Sequence, residues 1–79
     1  MKNNTLDQAF GNALQRLRKK HDLSQEELAF RVGIHRTYIS QLERGLKSPS
    51  LRTIGKICDE LQLSLSQLMQ EVEKESPSP

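Results

Sequence analysis

An all-α fold of five short helices is what the sequence predicts, on three observations. Apolar residues recur at three- and four-residue spacing, no stretch alternates with period two long enough for a strand, and Ser- and Gly-based boundaries interrupt the pattern at short intervals. A chain of 79 residues has room for one domain and one small core. Domains this short bury only about 60% of their unfolded surface, so a partner subunit would add needed stability. Helices no longer than about 15 residues, joined by short connections, cannot make a long parallel bundle and must cross at steep angles.

The first helix is expected over 6–20, with Leu6, Ala9, Phe10, Ala13, Leu14 and Leu17 on one face. Lys19 and Lys20 in its last turn suit the negative end of the helix dipole. After "HDLS", Ser24 with Glu27 forms a capping box, which starts a second helix over 25–32 with Leu28, Ala29 and Val32 inward. Gly33 turns the chain, Ile34 plugs into the core, and a third helix begins at His35 or Arg36 and ends on Gly45. Ser50 caps a fourth helix whose buried stripe is Leu51, Ile54, Ile57, Cys58 and Leu61. Gly55, locally unfavourable in a helix by about 1 kcal/mol against Ala, reads as a close packing point. Ser64 with Gln67 caps a fifth helix carrying Leu65, Leu68, Met69 and Val72. Residues 1–5 are expected to be flexible, 6–73 to form the domain, and 74–79, "KESPSP", to be disordered for want of anything to bury.

Net charge is +2, but it is unevenly spread: residues 1–58 hold eleven Lys and Arg against five Asp and Glu, and residues 59–79 hold one against five. A basic body with an acidic end suggests a polyanionic partner for the body, against the ordinary alternative of scattered solvated charge. One cysteine allows no internal disulfide, and "MKNNTLDQAFG" lacks the apolar run of a signal peptide or membrane span, so a cytoplasmic protein is expected.

Residues 25–45 have the layout of a helix-turn-helix, in which a short Gly-containing turn sets two helices at a large angle and the second enters the DNA major groove. The outward face of the third helix carries Arg36, Thr37, Ser40 and Gln41 rather than Glu and Lys. Arg36, at the start of the helix, can donate two bonds to O6 and N7 of one guanine, worth about 1–3 kcal/mol of discrimination. Thr37 can bond a base edge or pack on a thymine methyl, and Ser40 and Gln41 lie one turn further, where Gln can pair bidentately with adenine. Affinity needs phosphate contacts as well. Gln25, beside the free N–H groups that open the second helix, leads this set, followed by His35, Tyr38, Arg44, Lys47, Ser48 and Arg52. The alternative for each is a solvated surface residue.

The run "LSQEELAFRVGIHRTYISQLERGLKSPSLRTIGKICDELQLSLSQLM" resembles the Xre family, the phage lambda repressor and Cro-like DNA-binding domains. The likeness extends from residue 6 to about residue 70, with the Gln after the cap, "ELA", "VG" and "ISQLERG" in register. Within that family, "RTYIS" at 36–40 and the small size resemble the controller proteins of bacterial restriction-modification systems. The resemblance implies base contacts from the positions of Arg36, Thr37 and Gln41, a backbone contact from Gln25, and an ion pair between Arg18 and Glu43 that ties the first helix to the end of the third. Such a pair holds the reading helix in place more than it adds to net stability. His35 departs from the Ser or Thr common at this cap, so either the helix start is less well secured or His35 is redirected to a phosphate. Phe30, out of phase with Leu28 and Val32, is either a lid on the first helix or a partly exposed aromatic.

One short reading helix covers too few base pairs to find a site among about 10⁶ or more competitors, so a dimer is expected. Its interface is assigned to Leu63, Leu65, Leu68, Met69 and Val72, the alternative being that these residues cover the monomer core. The expected partners are a double-stranded operator, a second copy of the chain and RNA polymerase; no membrane, cofactor, metal or small-molecule ligand is expected. Enzyme readings fail on inventory, since two His and one Cys at unrelated positions make neither a metal-ligand set nor a nucleophile with its base. The rival is an antitoxin-like interaction module, for which only "EVEKESPSP" would be available to wrap a partner.

Overall fold

The computed structural model describes residues 4–75, with five helices and, among those residues, no strand. They are α1 (Asn4–Lys20), α2 (Gln25–Val32), α3 (Arg36–Glu43), α4 (Leu51–Leu61) and α5 (Leu65–Glu75). α1 lies against α3 and α5, α2 against α3 and α4, and α4 against α5. Leu14, Leu28, Ile39, Leu42, Ile57, Leu61 and Leu68 are the large side chains sealed at the centre.

The three serine boundaries are real caps. Ser24 Oγ accepts from Glu27 N–H while the Glu27 carboxylate accepts from Ser24 N–H. Ser64 and Gln67 repeat the arrangement on α5, and Ser50 Oγ accepts from Thr53 N–H on α4. The C-terminal ends share one device. Asp22, Gly33, Gly45 and Gln62 all take positive φ. After each, an aliphatic residue donates its N–H to the carbonyl five residues back: Leu23 to Arg18, Ile34 to Ala29, Leu46 to Gln41 and Leu63 to Cys58. Two of the four turning residues are not glycine, which the sequence reading did not anticipate.

Several expectations are corrected. α1 starts at Asn4 rather than Leu6, with Asp7 in its first turn at the positive dipole end. α5 continues to Glu75, past the expected limit at 73, because the Arg16 guanidinium holds it from α1, bonding Glu71 and Glu75 at 2.7 Å each. The remainder of the expected flexible start and disordered tail, 1–3 and 76–79, lies outside the described residues. Leu6 and Leu51, placed in the core by helical phase, are 65% and 74% exposed, since each sits in a first turn that overhangs the core. Gly55 is no packing point, as a Cβ there would meet nothing within 4 Å. The close approach is at Gly11, where a Cβ would collide with the backbone carbonyl of Leu42 and come within 2.6 Å of that of Glu43. Gly11 thereby lets the end of α3 rest directly on α1.

Candidate nucleic-acid interface

α3 is anchored from beneath and open above. Ile39 and Leu42 are fully buried, while Arg36 and Thr37 are exposed and Ser40 and Gln41 half-buried on the outward side. Gly33, at φ 81°, swings α3 across the end of α2, a conformation that a side chain there would resist. Between the start of α2 and the first turns of α3 lies an open cleft of about 180 Å³ lined by Gln25, Arg36, Thr37 and Ser40. Three of the four expected base readers thus meet at one place with a residue from the other helix; Gln41 lies outside the cleft. His35 occupies the N-cap with extended backbone but makes no side-chain cap bond, so its ring is uncommitted.

Behind the cleft, Arg18 and Glu43 form a buried, bidentate pair. Arg18 donates from Nε to Glu43 Oε2 at 2.6 Å and from Nη2 to Oε1 at 3.0 Å, and its Nη1 bonds the Leu23 carbonyl at 2.8 Å. These bonds to Glu43 raise the Arg18 pKa against the opposing effect of burial. Glu43 Oε1 also accepts from Gln25 Nε2 at 3.0 Å. The side chain expected to touch the DNA backbone is therefore already tied to the strut, a link that no spacing rule reveals.

The other expected phosphate contacts are dispersed. Arg44 caps the C-terminal end of α3, Lys47 lies in the following loop and Arg52 in the first turn of α4, all exposed. Tyr38 is half-buried with its body packed on the core. Ser48 is engaged elsewhere, its hydroxyl donating to Asp7 Oδ1 at 2.6 Å, which closes the loop onto α1.

The expected dimer surface needs correction. Leu68 and Val72 are buried in the core, and Leu63 is half-buried against the same core. Leu65 and Met69 are exposed. Leu6 and Leu51, which phase had sent inward, are exposed as well. A mainly apolar groove of about 200 Å³ runs across this shoulder, with Leu6, Phe10, Ile54 and Met69 among its walls and the bonded pair Asp7 and Ser48 also lining it. Phe30 is 86% exposed, which removes the reading of it as a lid on α1.

A family model described as "HTH_3: Helix-turn-helix" matches residues 14–68. Control protein C.MunI of Mycoplasma sp is 46% identical over 67 residues, covering 84% of this chain and 90% of that protein. The restriction-modification controller protein C.AhdI from Aeromonas hydrophila superimposes with a TM-score of 0.75 at 39% identity, over 78% of this chain and 94% of that one. SinR, described as the master regulator for biofilm formation and solved in complex with DNA, superimposes with a TM-score of 0.72 at 31% identity, over 76% and 97%.

Proposed function

The chain belongs to the HTH_3 helix-turn-helix family, and from that membership we propose that it is a sequence-specific transcriptional regulator which binds a pseudo-palindromic operator as a homodimer and controls a restriction-modification system. The observation that carries this reading is the cleft itself: four side chains able to bond base edges or phosphates, held on two helices whose other faces are buried. Arg36, Thr37, Ser40 and Gln41 read bases. His35, Tyr38, Arg44, Lys47 and Arg52 hold phosphates, with Gln25 at the edge of both groups. The similarity to C.MunI and C.AhdI supports the controller assignment.

A second copy docks on the apolar shoulder through Leu51, Leu65 and Met69, which are exposed in the single chain. A two-fold axis through that shoulder sets two copies of α3 on successive turns of the duplex. The protein works in the cytoplasm and acts on RNA polymerase at the promoter, and its own concentration sets operator occupancy through dimerisation. Selection of bound fragments from random duplexes tests the core of this reading. The expected result is a two-fold-related motif with half-sites about 10–10.5 bp apart; recovery of no motif at low ionic strength overturns it.

A further inference from the structure

The loop between α3 and α4 is fastened near the start of α1 at two adjacent residues. Gly45 lies so close to Gln8 that a Cβ there would fall 2.6 Å from Gln8 Cγ, and the Ser48 hydroxyl donates to Asp7 Oδ1 at 2.6 Å. Lys47 stands between these two points, exposed and, among the described residues, in no ion pair. We propose that Asp7 is a positioning residue for the DNA-backbone contact: through Ser48 it fixes the loop from which Lys47 reaches a phosphate. This inference rests on the DNA-binding function above and on the phosphate contact given there to Lys47.

Charge alone argues against an aspartate here, because a carboxylate bonded to the residue after Lys47 lowers the positive potential that attracts a phosphate. Its place is explained by what it accepts. A carboxylate has no proton to give, so the Ser48 hydroxyl spends its one donor on Asp7 and has none for a phosphate oxygen. Ser48 therefore serves the DNA contact through the backbone it shares with Lys47. A lysine is a point charge on a flexible stem, and the firmness of its contact comes from the chain that carries it. Leu46 N–H bonds the Gln41 carbonyl and Ser50 Oγ accepts from Thr53 N–H, so α3 and α4 set the two ends of the loop. The Asp7 bond is the side-chain tie between those ends. Without it the segment must be ordered again at each binding event, which costs affinity on every sequence alike.

The test uses the full chain with Asp7→Ala, Asp7→Asn, Ser48→Ala, Lys47→Ala and the double variant Asp7→Ala with Lys47→Ala. Each is titrated with the selected operator and with an unrelated duplex of equal length, at low and at higher salt. Charge and positioning predict opposite signs for Asp7→Ala: removing a negative charge tightens binding, whereas releasing the loop weakens it. Asp7→Ala and Ser48→Ala should each lose about threefold on both duplexes at low salt, and the loss should narrow as salt rises, since one neutralised phosphate is worth about 3.5-fold in affinity between about 50 and 200 mM. Asp7→Asn, whose carboxamide oxygen still accepts from Ser48, should restore the wild-type affinity. In the Lys47→Ala background, Asp7→Ala should add less than about twofold. Both side chains lie at the surface, so thermal midpoints should stay within a few degrees of wild type. Tighter binding by Asp7→Ala overturns the inference, as does an unaffected Asp7→Ala beside a weakened Ser48→Ala, which would put the Ser48 hydroxyl on a phosphate itself. Additivity with Lys47→Ala, an unaffected Lys47→Ala, or a collapsed midpoint overturns it too. A wild-type protein that binds neither duplex overturns the DNA-binding function instead, so the two failures are distinct.

Discussion

The surface around α3 and the shoulder formed by the starts of α1 and α4 with α5 are both exposed, yet they are supported in different ways. Beneath α3 there is a second layer: a buried ion pair, a glycine that brings two backbones together, and an amide tied to the ion pair. Beneath the shoulder lies the common core, with exposed ties at its margin from Arg16 to Glu71 and Glu75 and from Ser48 to Asp7, and no buried ion pair holds its aliphatic side chains. A polar surface that must match the edges of a base within a few tenths of an ångström needs its side chains fixed before contact. An apolar surface that gains from area alone does not. The two should therefore fail differently: the first through residues that touch nothing outside, the second only through those that do.

The largest effect expected of this contrast is at Arg18. Arg18→Ala leaves the Glu43 carboxylate buried without its partner, a loss of about 3–5 kcal/mol, visible as a lower thermal midpoint and as loss of operator binding at ordinary temperature. If Arg18→Ala unfolds normally and binds normally, the second layer is irrelevant and the contrast collapses. Next in size is Leu51→Ala. Because Leu51 is 74% exposed in the single chain, the monomer should keep its stability. The dimer should weaken by up to about 1.5–3 kcal/mol for each Leu it buries, as sedimentation over a concentration series would register.

Arg36→Ala comes third, costing about 1–3 kcal/mol of preference at one base pair per half-site with dimerisation unchanged. Lys47→Ala should instead weaken all sequences alike and lower the slope of log K against log salt by roughly 1. A uniform loss for both variants would erase the division between reading and holding.

The smallest effect concerns acid. Bonds from the Ser24 backbone and hydroxyl lower the pKa of the Glu27 carboxyl below its ordinary value of 4.5. The cap's contribution is therefore complete above that value and fades as pH falls through the lowered folded one. Glu27→Gln, which can still accept from Ser24 N–H but does not titrate, should flatten the acid limb of the stability curve. An unchanged acid limb would show that the cap does not contribute to it.

Local signals were legible, and tertiary ones were not. The bounds of α2 were readable because the Ser24 box and Gly33 mark both ends within the helix's own sequence. The outward face of α3 was readable because its polar residues interrupt a helical stripe. Leu6 and Leu51 were misplaced because phase tells which side of a helix faces the protein, not where the helix runs past the core's edge. Gly55 was mistaken for Gly11 because a glycine's purpose depends on what crosses it, and that is fixed by helices far apart in sequence. The double engagement of Glu43 was hidden for the same reason. Family resemblance supplied Arg18, but nothing in the spacing marked Gln25 as the third member.

The four matching helix ends carry a kinetic consequence. Each reversal is decided within six residues, so no distant contact is needed to stop one helix and aim the next. A small helical chain with its corners set this way has little long-range search left to do, and proteins of that kind refold in microseconds to milliseconds. A pool of newly made copies would fold almost as fast as the ribosome releases them, and for the homodimer proposed above the encounter of two copies would be the slow step.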